Sequence, residues 1–505
     1  MRRLSTPIAL RRPGAGHAGG VKRLAPALVA VAALTACGST VPVAAQLSSA
    51  GGDGLSPVAA GPTSQGGQPV SGQPGAGGAL TTPAGGAAVA TGSSRTGTAG
   101  GLTPAAGSGL PTGGPTTTDV VRVGVLYLDG VDSFASALGL DGLSTGDTVA
   151  QSKAIVDYVN AHGGLGGHKI DLRFAKVAAT DASNESAWTA ACSSLTEDAK
   201  VAYVISYATF NESRLACYAK HGVPVLDDQS FVPDGIGQRY AAGFAAPGEL
   251  APGRSAGLLV DALWRAGWLT RSSKVGSFTW DTPEGADVID HYLKPALARH
   301  GLSVTVDARV ANDASAANQS STALKFRSAG VDRVIPLLAS PLFFMQSAES
   351  QGYRPLYAMT SGFGPGALLE SAAPKNQLKG ARGIGWSKYL DIGAGTKPGP
   401  VSSNETLCFQ IMKGAGQQST SATVQAFQVA LCNVLLMLQA GADKYGLTPG
   451  ILTTLRERSF PVLPADAYAI RLMPGRADGV SAYRDLAYTD SCSCFQYTSG
   501  NRATG

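Results

Sequence analysis

Chemistry-bearing motifs are scarce in these 505 residues. There is no H-E-x-x-H, no Walker A loop and no G-x-G-x-x-G inside a βαβ unit. That removes zincin-type hydrolysis, P-loop nucleotide binding and nicotinamide chemistry as readings. Histidine is rare, with six residues, and no pair stands at the helical spacing a metal site needs. No metal and no cofactor are therefore expected. Gly142-Leu143-Ser144-Thr145-Gly146 matches G-x-S-x-G by letter. It follows no buried strand and lies in a polar loop, whereas a nucleophile elbow needs a strand, a sharp turn and a helix. Asp227 and Asp228 are adjacent at a strand end, so their side chains point opposite ways and at most one faces a cleft. The chain does not read as an enzyme.

Acidic residues are missing from the N-terminus. Arg2, Arg3, Arg11, Arg12, Lys22 and Arg23 precede Cys37 with no carboxylate among them. The apolar run Leu24 to Ala36 is too short to span a bilayer comfortably, since a spanning helix needs about 20 apolar residues. Basic region, apolar region and Leu34-Thr35-Ala36-Cys37 together resemble the signal peptide and lipobox of bacterial lipoproteins. The resemblance implies cleavage after residue 36 and lipidation of Cys37, with acyl chains anchoring the protein to the outer face of the cell membrane. The full chain carries +5, but loss of six basic residues leaves 34 Lys and Arg against 35 Asp and Glu. The basic balance belongs to the targeting segment, and a nucleic-acid partner loses its main support.

From Gly38 to Thr118 the chain is almost wholly Gly, Ala, Pro, Ser, Thr, Val and Gln, without helical or strand period. Such a segment cannot bury enough apolar area to offset the entropy of ordering, and reads as a disordered tether. Its end-to-end distance as a flexible coil is about 50 Å. Residues 119–497 are long enough for two lobes. Within them Val424 to Leu438 is strongly apolar but interrupted by Gln425, Gln428 and Asn433. Its apolar positions step by three and four, which predicts a buried amphipathic helix and not a membrane span.

After Asp119 strands and helices alternate. Strands are expected at 120–127, 169–174, 201–205 and 223–226, with helices at 149–160 and 187–198. The rhythm restarts after Pro252. Helices 256–266, 286–300 and 323–329 then precede strands 275–278, 303–306 and 334–338. The order predicts two similar α/β lobes with parallel sheets covered on both faces. Ligands in such sheets sit at the carboxyl ends of the strands.

The stretch Ala154 to Ile170 (AIVDYVNAHGGLGGHKI) resembles a segment of the type I periplasmic binding proteins, whose close relatives are the branched-chain amino-acid receptors of ABC transporters. Leu324 to Asp332 is similar to their second-lobe helix and turn, Leu378 to Gly383 to the segment returning to lobe 1, and Gly479 to Arg484 to the final strand region. The resemblance implies an α/β fold of two Rossmann-like lobes joined by a multi-crossover hinge. It places lobe 1 at about 119–246 and 388–460, and lobe 2 at about 247–387 and 461–497. It implies an extracytoplasmic solute-binding protein that hands a small molecule to ABC permease subunits. A ligand-sensing or structural envelope lipoprotein of the same fold, without transport, stands as the alternative.

Six cysteines remain once Cys37 is lipidated, an even number that suggests three disulfides with 15 possible pairings. Relatives carry a bridge between the helices flanking the third strand, where Cys192 and Cys217 fall. Pairing within lobes gives Cys408–Cys432 and Cys492–Cys494 and leaves the hinge free. The family's geometry points to loops holding Tyr127, Ser206, Tyr207, Thr209 and Asp228 in lobe 1. In lobe 2 it points to Trp280, Phe344 and Phe363. Relatives place an acidic partner for an ammonium group near the Ser361 loop; Ser361-Gly362-Phe363 has none. The expected ligand is a small polar or amphipathic molecule, amino-acid-like or aromatic.

Overall fold

A computed structural model of the chain describes residues 120–137, 144–207, 212–227, 232–311, 319–392, 399 and 401–505. The expected signal peptide and tether, Cys37, Thr209 and Asp228 lie outside the described residues.

The first sheet is assembled from alternating units. Strand β1 (Val120–Asp129) leads to helix α1 (Thr148–Ala161), β2 (Lys169–Ala178), α2 (Glu185–Ser193), β3 (Tyr203–Ser206), α3 (Glu212–Lys220), β4 (Val225–Asp227) and β5 (Phe244–Ala245). All neighbours are parallel, in the order β2-β1-β3-β4-β5. Asn160 explains the helix-end motif. Its amide donates to Ile170 O (3.0 Å) and accepts from Ile170 N (2.7 Å), which clamps the end of α1 to the start of β2. The chain reverses between them through Gly164, at φ 73°. A Cβ there would lie 2.1 Å from His168 O, so only glycine fits.

The second sheet repeats the pattern. Helix α4 (Pro252–Arg265) precedes β6 (Val275–Trp280). A helix in three segments, Pro283–Asp287, Val288–Leu293 and Lys294–Ala298 (α5), precedes β7 (Val304–Val310). Then follow α6 (Ser320–Ser328), β8 (Arg333–Pro336), α7 (Leu342–Ser350), β9 (Leu356–Thr360) and β10 (Arg382–Gly385). After β10 come α8 (Ser403–Gly414), α9 (Ala422–Tyr445), the strand pair β11 (Pro461–Val462) and β12 (Ile470–Arg471), and then β13 (Ala482–Thr489), β14 (Cys494–Tyr497) and β15 (Arg502–Ala503). The sheet order is β14-β13-β10-β9-β8-β6-β7, with β15 on β13. It departs from the expectation of parallel strands only at one edge, where β13 runs antiparallel to β10 and β14 runs antiparallel to β13. Arg382–Gly385 is itself a strand of this sheet, so the return to the first lobe begins after Gly385 and not at Leu378 to Gly383. The fold also continues past residue 497: β15 pairs with β13, and Thr504 is buried with its hydroxyl on Val480 O (3.0 Å).

Helix α9 has the length and hydropathy of a membrane span, yet 78% of its most apolar window is buried inside the protein. It packs with α8 against α1. Asp443 accepts from Gly166 N (3.2 Å), and Tyr203 donates to Thr448 O (2.7 Å) just beyond the helix. Three disulfides join Cys192 to Cys217 across α2 and α3, Cys408 to Cys432 across α8 and α9, and Cys492 to Cys494 at the β13–β14 turn. The chain passes between the two sheets three times, between β5 and α4, between β10 and α8, and between α9 and β13. Backbone bonds tie the passages together: Ala246 N to Ala477 O (2.8 Å), Gly479 N to Ala246 O (3.1 Å) and Lys388 N to Asp466 O (3.4 Å).

Candidate ligand site at the strand ends

Strand order fixes where a ligand can sit. The chain leaves β5 at its carboxyl end to reach the second sheet, and leaves β10 at its carboxyl end to return. The carboxyl edges of both sheets therefore adjoin the crossovers. In the first sheet the order reverses between β1 and β3, and in the second between β6 and β8. Such switch points open a crevice that side chains beyond the strands can line.

At the first switch point Leu126 stands opposite Ser206, the buried last residue of β3, and Tyr207 N donates to Leu126 O (3.1 Å). Tyr207 is buried, with its ring 6.0 Å from that of Phe427 on α9. Tyr127 is half-buried and meets Phe174 edge-on at 6.5 Å. Burial, reinforced by Asp129, raises its phenol above the ordinary value. Asp227 ends β4 in register with Ser206 and is buried. A depression of about 330 Å3 runs from Tyr127–Asp132 to the start of α1 at Thr145–Val149. Ser144 belongs to its rim chemistry only as a structural link: its hydroxyl donates to Asp132 (2.8 Å) and accepts from Gly146 N (3.0 Å).

At the second switch point Trp280 ends β6 half-buried. Gly285 lets the next helix start against it, since a Cβ there would meet Trp280 O at 2.3 Å. Leu338, just past β8, holds φ 59°. A left-handed leucine costs free energy, and such residues cluster where function over-determines the backbone. Nothing in the sequence marks it. Phe363 is half-buried on a single turn, Ser361–Phe363, after β9. Phe344 is placed differently. It is fully buried, stacked on Phe278 at 5.1 Å and surrounded by Phe326, Tyr353 and Tyr357. Its ring belongs to the core of the second lobe and has no exposed face at the strand ends.

Sequence reasoning missed a buried polar cluster at the ends of β9 and β10. Trp386 N (2.6 Å) and Ser387 N (3.1 Å) donate to the Ser361 hydroxyl, which donates to Asp391 (3.0 Å). Tyr497 also donates to Asp391 (2.7 Å), and Ser387 to Asp466 (2.6 Å). Burial pushes Asp391 well above the usual carboxylate range and Asp466 up to about 6. Beside them Lys388 pairs with Glu405 (2.7 Å), both buried, and Tyr389 donates to Glu405 (2.5 Å). The carboxylate absent from the Ser361 turn thus reaches it from Asp391, 30 residues on. No local pattern could have announced that. Among the described residues no group of His, Cys, Asp and Glu could hold a metal ion.

A family model for periplasmic binding proteins matches residues 121–391. The chain belongs to the periplasmic binding protein family. Solved structures share its fold at low identity. One is a solute-binding protein from Rhodopseudomonas palustris in complex with 4-hydroxybenzoate, at 12% identity and TM-score 0.57, covering 76% of this chain and 97% of that one. A second from the same organism, in complex with benzoate, gives 17% identity and TM-score 0.55, with coverage of 76% and 96%. The branched-chain amino-acid transporter substrate-binding protein of Streptococcus pneumoniae, in complex with isoleucine, gives 12% and 0.53, with coverage of 76% and 99%. No curated protein sequence matches the chain. In this periplasmic binding protein the two switch points bring Tyr127 beside Ser206 and Tyr207 on one sheet, and put Trp280 and Leu338 on the other. Phe344 lies in the core against which Trp280 packs.

Proposed function

We propose that the protein is an extracytoplasmic solute-binding lipoprotein that captures a small polar or amphipathic molecule between its lobes for an ABC permease. The observation that carries this reading is the meeting of both carboxyl sheet edges at three crossovers. Lobes joined in that way close as rigid bodies, and a ligand touching both binds the closed state better and shifts the population toward it. Cys37 carries the acyl anchor, and residues 37–118 form the tether that holds residues 119–497 off the membrane. Lobe 1 is 119–246 with 388–460, and lobe 2 is 247–387 with the C-terminal strands. Catalysis has no part in the reading: Ser144 is spent on Asp132 and Gly146.

Tyr127, Tyr207, Trp280 and Phe363 supply aromatic area at little entropic cost, and Ser206, Thr209 and Asp228 supply hydrogen bonds. Proteins of this fold in complex with isoleucine and with 4-hydroxybenzoate support an amino-acid-like or aromatic ligand. The test is a thermal-shift screen of amino acids and hydroxylated aromatic acids on the mature chain, followed by calorimetry. A ligand that binds only the folded state raises the melting point by mass action, by about 2.7 kcal/mol of stability at a hundredfold excess over Kd. A clean two-lobed protein that no solute in the library shifts would count against solute capture.

A further inference from the structure

The three disulfides are not equivalent. Both sulfurs of Cys408–Cys432 and the Cys192 sulfur are buried, and Cys217 is half-buried at the edge of the core that holds Cys192, so these two bridges join packed helix pairs. Cys492 and Ser493 are exposed and Cys494 is half-exposed, at the tip of the β13–β14 hairpin. The bridge there closes a ring with one residue between its cysteines, so it removes little loop entropy from the unfolded chain. The hairpin does not need it. Four residue pairs from Leu486↔Tyr497 to Thr489↔Cys494 hold the strands, and the fully buried Phe495, edge-on to Tyr488 at 5.5 Å, pins β14 to the core. Ser493, between the two sulfurs, is held at φ 50° in the left-handed region, which opening the ring lets it leave.

We propose that Cys492–Cys494 is a thiol–disulfide exchange site, open to dithiol reductants of the cell envelope while the other two bridges stay closed. A reductant thiolate attacks Cys492 Sγ, forming a mixed disulfide as the Cys492–Cys494 bond breaks, and Cys494 leaves as a thiolate that takes up a proton. The second thiol of the reductant then attacks the mixed disulfide and releases Cys492 as a thiol. Two electrons pass to the protein, and the reductant ends as a disulfide. Accessibility sets the order, because exchange needs approach to a sulfur along the bond axis: Cys492 is exposed, whereas each helix bridge has at least one fully buried sulfur.

The full mature chain is incubated under native conditions with graded dithiothreitol, quenched with an alkylating agent and peptide-mapped. Cys492 and Cys494 are expected to label at a reductant concentration at least about tenfold below that for Cys192, Cys217, Cys408 and Cys432. A Cys492→Ser/Cys494→Ser variant is expected to keep its melting point within about 2 °C. Opening of either helix bridge first, or all three together, overturns the proposal. So does a loss of more than about 5 °C in the double variant, which would make the hairpin bridge a structural brace.

Discussion

The core of the second lobe and the passages between the lobes are built on opposite principles. The second lobe is held by stacked rings, Phe278 on Phe344 with Phe326, Tyr353 and Tyr357 around them, and no ionic group among them. The passages bury charge: Lys388 with Glu405, Asp391 and Asp466 with serine and tyrosine hydroxyls, and Asp478 with Arg254, Arg476 and Ala251 N. Apolar packing is non-directional and roughly proportional to area, so it stabilises whatever shape fills space. Buried polar groups are costly unless each finds its partner at the right distance and angle, so they select one geometry over near alternatives. A molecule whose lobes move needs rigid bodies of the first kind and a well-defined joint of the second.

The comparison breaks most visibly at Phe344. Replacing it with alanine should cost about 3–5 kcal/mol, seen as a lower urea midpoint, because the ring is central to the aromatic core. A variant that keeps its stability but loses affinity for a ligand would move Phe344 from core to site. Lys388→Met should cost about 3 kcal/mol by leaving Glu405 buried without its cation, despite being a gain in apolar surface. Equal stability in that variant would mean the passages are not specified by their charges.

Proton linkage separates the two regions further. Asp466 and Asp234 rise to about 6 from an ordinary 3.8, and burial raises Asp391 well above that ordinary value too. Their folded forms hold protons that the unfolded chain has released above about pH 4, so the stability these groups contribute is fully present below about pH 4 and is lost as pH rises through about 6. Asp466 alone should account for roughly 1.4 kcal/mol of the stability difference between pH 5 and pH 8. Asp466→Asn, which keeps an acceptor for Ser387, should flatten the profile without abolishing it. A wild-type midpoint that climbs with pH through this window would contradict the assignment. The smallest effects are expected at the strand ends. Trp280→Ala and Thr209→Val should each weaken a bound solute by at least about tenfold in calorimetry while leaving the melting point of the free protein nearly unchanged. Normal binding in both would relocate the ligand.

How much of this was legible follows from where each piece of information resides. Helix α1, strands β1 to β4 and the buried nature of α9 are written in periods of two and 3.6 within single segments. Gly164 and Asn160 carry their turn and clamp locally as well. Ser206 and Trp280 could be named because each directly ends a strand, and Tyr127 because it closes the apolar run 120–127, although the strand itself continues to Asp129. Phe344 could not be sorted from them, because an aromatic one turn past a strand faces core or crevice according to how α7 is rotated on its sheet, and a short apolar run does not encode that rotation.

The sequence by itself determined the alternation of strand and helix, the parallel character of both sheets away from one edge and the scarcity of catalytic motifs. The residue pattern alone left 15 pairings open; the family resemblance pointed to the three bridges that the tertiary structure makes. Tertiary structure alone decided that β13 closes the second sheet antiparallel and that Asp391 reaches Ser361. The physical reason is range. Local patterns fix backbone conformation residue by residue, whereas contacts between segments tens or hundreds of residues apart depend on sheet order and helix docking, which are chosen by the packing of the whole chain.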